Sequence, residues 1–220
     1  MKAVRVIPGA EGGRVEIQDI EAPKAGAGQV LVRVRATGLN RGEINQARDL
    51  RAGPTITAGV EFAGEVAAVG AGVTAWKEGD RVMGHGKACQ AEYTVADPLA
   101  LMRVPAKLSW VDAAAFPNVF ITAHDAVIVN GNLKAGESIL INGATGGVAM
   151  AAIQIAKLFG ATPVMAMSRS AAKLEKLLRL GVDIGIDASA GSHVEAVMAA
   201  TEKKGVDLII DTVGGPVFEA

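Results

Sequence analysis

The chain has 220 residues, half of which are hydrophobic, and its formal net charge is -1. This length and composition allow a packed core and two modest domains. Charges of both signs are interspersed, without the basic stripe that is typical of nucleic-acid or anionic-membrane binding. No apolar run reaches the roughly 18 residues that a membrane span needs, and the N-terminus lacks the apolar segment of a signal peptide. We therefore expect a cytoplasmic protein that binds a small molecule, with no nucleic-acid or membrane partner.

Cysteine and histidine usage limits the metal and redox chemistry. Cys89 is the single cysteine, so an internal disulfide is excluded. His85, His124 and His193 are scattered along the chain and match neither zinc-finger nor HExxH spacing. The sequence therefore predicts no metal site, and we assign Cys89 and His85 no catalytic role.

The first half of the chain consists of short β segments separated by turns rich in glycine and proline. Several segments alternate apolar and polar residues, which is typical of half-buried antiparallel strands. Between residue 2 and about residue 105 these segments are KAVRVI, RVEIQDI, QVLVRVRATG, EFAGEVAAVG, DRVMG and AEYTV. The pattern predicts a β-barrel or a β-sandwich.

Beyond Lys107 the pattern changes, because strands and helices now alternate. The strands are ESILIN, TPVMAM, IGID and VDLIID, with amphipathic helical segments between them. Strands that are largely apolar along their whole length indicate a parallel sheet covered on both faces. We therefore expect an α/β second half, doubly wound, and place the domains at residues 1–118 and 119–220.

Residues 141–161, INGATGGVAMAAIQIAKLFGA, lead from a strand through glycines into a helix. At such a turn a dinucleotide pyrophosphate binds to free backbone N–H groups and the positive end of the helix. Against the G-x-G-x-x-G/A template, Ala144, Gly146 and Ala149 take the three glycine positions. The alternative is a glycine-rich turn that only lets helix and strand pack. The expected pyrophosphate site consists of Thr145, Gly146, Gly147 and Val148.

The end of the next strand indicates which nicotinamide cofactor is bound. An Asp or Glu about 20 residues after the glycines would bind the ribose 2′-OH of NAD, and none is found there. The strand instead ends in Ser168, Arg169 and Ser170, with Lys173 one turn further on. One hydroxyl and two cations suit a 2′-phosphate, so the pattern favours NADPH. The alternative is that both cations are ordinary solvated charges near a helix start.

The motifs GVEFAGEVAAVGAGV, KEGDRVMG, AEYTV and AGESILINGATGGVA, in this order, resemble the medium-chain dehydrogenase/reductase superfamily. More narrowly, the sequence is similar to the zinc-independent quinone oxidoreductase branch, whose members reduce quinones or α,β-unsaturated carbonyls with NADPH. The resemblance implies a GroES-like catalytic domain, a Rossmann domain after it, and an active site in the cleft between them. It also suggests a homodimer.

The resemblance further implies a reaction without metal. Zinc-dependent relatives hold zinc with a Cys in the loop that reads Gly38-Leu39-Asn40-Arg41 here, and with a His in the motif that reads Gly59-Val60-Glu61. The structural four-cysteine lobe of those relatives is also absent. A Lewis acid cannot be held without its ligands, so a zinc alcohol dehydrogenase is not expected.

Four further site residues follow from the resemblance. Asn40 matches an asparagine beside the nicotinamide, where its N–H would polarise the substrate carbonyl, although a turn cap explains it equally well. Thr122 matches a threonine near the cofactor, or it bonds back to the preceding helical turn. Val213 and Gly214 match backbone that passes the nicotinamide, or they simply close a strand.

Two departures from the family pattern bear on substrate and completeness. The segments EINQARDL and IGIDASAG lack the tyrosines of many quinone reductases, so a small enone or aldehyde is as open as a planar quinone. The second half shows four strands where a doubly wound sheet has about six, so we expect an incomplete Rossmann domain. The leading hypothesis is an NADPH-dependent reductase of quinones or unsaturated carbonyls. The alternative is a catalytically silent NADPH-binding module that acts as a fragment, sensor or scaffold.

Overall fold

The computed structural model describes residues 1–189, 193–215 and 218. The chain divides into two compact units, Met1–Asn118 and Val119–Ala220. Each unit has hydrophobic clusters of its own.

The first unit is mainly β-structure, as the alternating segments predict. Its helices are α1 (Arg41–Asp49) and α2 (Trp110–Ala114), and α3 (Pro117–His124) begins at its end. Its strands are β1 (Lys2–Ile7), β2 (Arg14–Asp19), β3 (Val30–Thr37), β4 (Ile56–Thr57), β5 (Glu61–Val69), β6 (Arg81–His85), β7 (Tyr93–Ala96) and β8 (Leu101–Arg103).

These strands form two antiparallel sheets, with the orders β7-β3-β5-β6-β8 and β2-β1-β4. The alternation of β3 explains its placement, because Val30 and Val32 are buried while Arg33 and Arg35 are exposed. Val30 and Val32 pack in one cluster with Phe62 of β5. The predicted β-rich first half is thereby confirmed.

The second unit is a parallel sheet covered by helices, which confirms the predicted α/β half. Its helices after α3 are α4 (Gly147–Leu158), α5 (Ala171–Leu178) and α6 (His193–Ala200), and a π-helical turn follows α3 at Asp125–Asn130. Its strands are β9 (Ile139–Asn142), β10 (Val164–Ser168), β11 (Ile184–Asp187) and β12 (Leu208–Asp211). In the described part of the chain the strand order is β11-β10-β9-β12.

Both faces of this sheet are covered, which explains why its central strands are apolar at nearly every position. Ile139 and Ile141 of β9 pack in a cluster with α4, while Leu140 packs in another with Val197 of α6. The register pairs Asn142 at the end of β9 with Met167 of β10 and Asp211 of β12. The chain runs from β9 outward to β11 and then returns to β12 on the other side of β9. Loops at the carboxyl ends of strands around such a switch point form the usual ligand crevice.

Candidate functional site

The turn after β9 lies against the loop after β12. Gly143 has a φ of +65°, and a Cβ atom there would lie 2.6 Å from Thr212 Oγ1 and 2.8 Å from Val213 Cγ2. The Thr212 hydroxyl donates a hydrogen bond to the Asn142 carbonyl oxygen at 2.9 Å, which joins the two loops. Gly143 is therefore the glycine that the tight turn requires. The glycine template put Ala144 at its first glycine position, and in the structure Ala144 is a fully buried core residue.

Helix α4 begins directly after a glycine with open space around it. Gly146 is its N-cap residue, and a Cβ atom there would meet only the Gly143 carbonyl oxygen within 4 Å, at 3.5 Å. The first N–H groups of a helix lack intrahelical acceptors and, with the helix dipole, favour an anion. Thr145, Gly146, Gly147 and Val148 all belong to this helix start, and the space left by Gly146 fits the expected pyrophosphate.

A cavity of about 500 Å³ opens beside this helix start. Its volume falls within the usual range of small-molecule sites. The structure brings together here residues from four separate segments, one at the carboxyl end of each strand of the sheet. Its lining consists of Gly143, Thr145, Met167, Ser168, Arg169, Ser170, Lys173, Ala188 and Val213.

The charges of this cavity are positive. Arg169 and Lys173 are both exposed, and within the described residues neither forms an ion pair. A guanidinium and an ammonium beside the hydroxyls of Ser168 and Ser170 can bind a phosphate group through charge-assisted hydrogen bonds. The nicotinamide cofactor that such a fold implies therefore fits the residues present.

The remaining predicted residues of this unit differ in their surroundings. Asp211 accepts hydrogen bonds from the backbone N–H groups of Val213 at 3.0 Å and Gly214 at 2.9 Å. These bonds fix the loop after β12, in which Gly214 has a φ of +69°. Thr122 is an exposed residue of α3 and does not line the cavity of about 500 Å³.

Asn40 lies in the first unit, at the start of α1, inside a network of polar side chains. Its backbone N–H donates to Glu43 Oε2 at 2.8 Å. Its side-chain Nδ2 donates to Glu43 Oε2 at 3.1 Å and to Glu61 Oε1 at 2.8 Å. Its Oδ1 accepts a hydrogen bond of 2.8 Å from Asn118 Nδ2. Both hydrogens of the Asn40 amide are therefore engaged, and polarising a carbonyl through them requires breaking a bond to a carboxylate.

Two buried carboxylates in this network were not predicted as site residues. The exposed fractions of Glu43 and Glu61 are 8% and 2%. The Asn-x-x-Glu spacing from Asn40 to Glu43 was the available signal, since a capping box places its acidic residue three positions after the N-cap. Gly38 has no room for a side chain, because a Cβ atom there would overlap Glu61 Oε1.

The donor set around Asn40 and Glu61 does not fit zinc. Zinc sites in proteins use Cys and His ligands with few carboxylates, whereas this network contains only amide and carboxylate groups. In the part of the chain that the structure describes, no group of three or more His, Cys, Asp or Glu side chains can hold a metal ion.

Cys89 lies near this network and is fully buried. Burial raises the pKa of its thiol to about 12; a hydrogen bond with Thr94 opposes this shift, and the charges of Glu43 and Glu61 add to it. A thiol in this state is a poor nucleophile, because the thiolate is the reactive form.

The helices of the described residues are all too short or too polar to cross a membrane.

Two protein-domain families match the chain. The alcohol dehydrogenase GroES-like domain matches residues 26–106, and the zinc-binding dehydrogenase domain matches residues 147–220. Together they cover parts of both structural units.

Similar proteins include reductases of two kinds. A quinone oxidoreductase of Pseudomonas syringae pv. Tomato DC3000 superposes with a TM-score of 0.88 at 30% identity, over 99% of this chain and 68% of that one. The CurK enoyl reductase gives a TM-score of 0.87 at 26% identity, over 99% and 68%. A phenolphthiocerol synthesis polyketide synthase of Mycobacterium bovis is 38% identical over 206 residues, which are 92% of this chain and 10% of the synthase.

The fold, the glycine turn and these likenesses define the class of protein. The chain belongs to the medium-chain dehydrogenase/reductase superfamily, in its quinone-oxidoreductase-like branch. It spans about two thirds of the length of the solved relatives and about a tenth of the polyketide synthase.

Proposed function

We propose that this chain is a zinc-independent, NADPH-dependent oxidoreductase that reduces a quinone or an α,β-unsaturated carbonyl. The observation that carries the proposal is the cavity of about 500 Å³, in which Arg169 and Lys173 share one space with the glycine turn. The names of the relatives support the two substrate classes, since one is a quinone oxidoreductase and another an enoyl reductase.

In this proposal the second unit holds the cofactor by its phosphates. The N–H groups at the start of α4 bind the pyrophosphate, for which Gly146 leaves space. The Arg169 guanidinium, the Lys173 ammonium and the Ser168 hydroxyl bind the 2′-phosphate. Val213 and Gly214 lie on the loop that we assign to the nicotinamide end. NADPH is favoured over NADH because only NADPH has the 2′-phosphate that these cations would bind.

When bound, the nicotinamide supplies a hydride to the substrate. The residues of the chain orient the reactants and exclude water. Asn40 and Thr122 remain the residues that we propose for contact with the substrate or the cofactor. We assign no general acid, so the proton that completes the reduction comes from water or from a group still to be identified.

Calorimetric titration with NADPH and NADH tests the cofactor assignment. We expect the wild-type chain to prefer NADPH by at least about tenfold, and Arg169→Ala to remove most of that preference, because a charge-assisted hydrogen bond contributes about 1.5–3 kcal/mol. The matched control is Lys176→Ala, which removes an exposed cation from α5, the helix that follows Arg169, outside the cavity. Equal affinity for both cofactors, or equal effects of the two substitutions, would contradict the assignment.

The alternative function is a catalytically silent NADPH-binding module. It predicts the same binding and the same effect of Arg169→Ala, but no acceptor-dependent oxidation of NADPH. The homodimer suggested by family resemblance is a separate proposal, which sedimentation analysis of the purified chain tests by distinguishing one mass from its double.

A further inference from the structure

Five polar side chains of the first unit form one hydrogen-bonded network that includes the amide of Asn40. We call them the Asn40 cluster; its members are Asn40, Glu43, Glu61, Gln90 and Asn118. Both carboxylates of the cluster are more than nine-tenths buried. In the described residues neither forms an ion pair, so the partners that compensate their burial are N–H groups.

Every carboxyl oxygen of the Asn40 cluster accepts a hydrogen bond. Glu43 Oε2 accepts from the Asn40 backbone and side chain, and Glu43 Oε1 accepts from Gln90 Nε2 at 3.1 Å. Glu61 Oε1 accepts from the Asn40 side chain, and Glu61 Oε2 accepts from the Asn118 backbone N–H at 2.8 Å. Donors on all sides are what two carboxylates require, because an ionised carboxyl group accepts hydrogen bonds and has no hydrogen to donate.

The two carboxylates determine which way the Asn40 amide faces. In the opposite orientation, Asn40 Oδ1 would face oxygens of Glu43 and Glu61, and Nδ2 would face Nδ2 of Asn118. Three hydrogen bonds would be replaced by contacts between like groups. An amide oxygen has two lone pairs, and one of those on Asn40 Oδ1 accepts the hydrogen bond from Asn118 Nδ2. The Glu43 backbone N–H faces the Asn40 side chain in a capping box without forming a side-chain cap hydrogen bond, and Asn40 is partly exposed, so Asn118 provides the hydrogen bond to Oδ1 among the described residues.

We propose that Glu43 and Glu61 are positioning residues that fix the Asn40 amide with its N–H groups inward, so that Asn40 offers its ligand a hydrogen-bond acceptor. The group that Asn40 binds is therefore a donor, an N–H or an O–H, and not the carbonyl oxygen that the sequence suggested. This inference rests on the proposed function. Within that function the donor has two sources, the carboxamide of the nicotinamide or a hydroxyl of the reduced product.

The orientation is tested without any ligand by nuclear magnetic resonance of the whole chain labelled with ¹⁵N-asparagine. The Asn40 side-chain signals are assigned by their loss in Asn40→Ser. We expect both amide protons to lie downfield of a free amide, with one moving upfield in Glu61→Gln and the other in Glu43→Gln. The control is Glu65→Gln on the same strand as Glu61, a partly exposed partner of Arg35, which leaves both signals in place. Signals that do not respond to Glu43 or Glu61 would overturn the proposal.

The donor is identified by comparing ligands that differ in one group. NADPH is compared with its 3-acetylpyridine analogue, in which a methyl group replaces the carboxamide nitrogen, and a hydroquinone with its dimethyl ether. Each pair of dissociation constants is measured in the wild type, the Glu43→Gln/Glu61→Gln double variant and Glu65→Gln. We expect one of the two ratios to fall about tenfold in the double variant only, as in a double-mutant cycle. The pair that responds names the source of the donor.

Ratios that stay the same in all three proteins would overturn the acceptor role of Asn40. If the double variant does not fold, Glu43→Gln and Glu61→Gln give the same comparison separately. Failure of the proposed function is distinguishable, because it would abolish NADPH binding in the wild type while the amide signals still report the orientation of Asn40.

Discussion

The cavity beside Arg169 and the Asn40 cluster differ in whether their charged side chains have partners within the described residues. In the second unit, Arg169 and Lys173 are exposed beside a cavity, and within the described residues they have no anionic partner. In the first unit, Glu43 and Glu61 are buried, and each of their carboxyl oxygens has an N–H donor. Exposed cations of this kind are suited to bind an anionic ligand, whereas satisfied carboxylates are suited to hold a neighbouring side chain in place.

This difference changes how the two sets of residues respond to mutation. Removing a cation from the cavity leaves solvent in its place, so affinity for a ligand changes while stability is largely retained. Removing a carboxylate from the Asn40 cluster leaves buried N–H groups without acceptors, which costs about 1–3 kcal/mol each.

The largest expected effect concerns Cys89, beside the Asn40 cluster. Its pKa of about 12 means that little thiolate exists near neutral pH. We expect alkylation of the native chain at pH 8 to be on the order of 1,000-fold slower than that of the unfolded chain. The rate is measured with an alkylating reagent, as the increase in mass of the chain over time, with and without denaturant. Equally fast reaction in both states would show that this region is open to solvent, and the contrast between the two regions would fail.

The next largest effect is expected at the start of α4. Gly146→Val places a side chain in the space proposed for the pyrophosphate, and Gly146 does not have a positive φ. We expect NADPH affinity to fall about 100-fold, with a stability change of less than about 1 kcal/mol. Calorimetry and thermal unfolding measure the two quantities. Undiminished affinity would mean that the glycine turn is only structural.

Gly143→Ala changes the other glycine of the same turn, and its expected effect is on the stability of the fold. The alanine would need a φ of +65° and would crowd Thr212 and Val213. We expect the free energy of unfolding to decrease by about 2 kcal/mol, measured by urea denaturation. An unchanged unfolding midpoint would contradict the account of this turn.

The smallest expected effect separates two lysines of α5. Lys173→Ala should weaken NADPH binding about fivefold and leave NADH binding unchanged, because Lys173 lines the cavity and is exposed to solvent screening. Lys176→Ala should change neither. Raising the ionic strength should reduce the difference between the two variants, and a salt-independent difference would argue against an electrostatic contact with phosphate.

The fold was largely predictable because its signals are local. Alternation placed β3 in an antiparallel sheet, and the uniform apolar character of β9 and β10 indicated a parallel sheet. The glycine turn could also be recognised in the sequence. The template put Ala144 at the first glycine position, whereas the positive φ of the turn lies at Gly143, because a sequence does not show φ angles.

The Asn40 cluster was less predictable because it joins distant segments. Asn40 and Asn118 are 78 positions apart, and Asn40 and Glu61 are 21 apart. No periodicity links such residues, so the burial of Glu43 and the engagement of the Asn40 amide emerge only from the folded chain. The cavity differs in this respect, since Ser168, Arg169 and Lys173 are neighbours in the sequence and their chemistry could be recognised together.

The most direct test of the central claim is the oxidation of NADPH by the purified chain in the presence of a panel of quinones and α,β-unsaturated carbonyls, followed by absorbance. We expect acceptor-dependent oxidation that is faster with NADPH than with NADH, that needs no added metal, and that loses its cofactor preference in Arg169→Ala. NADPH binding without oxidation by any acceptor would contradict the enzymatic claim and favour a silent NADPH-binding module.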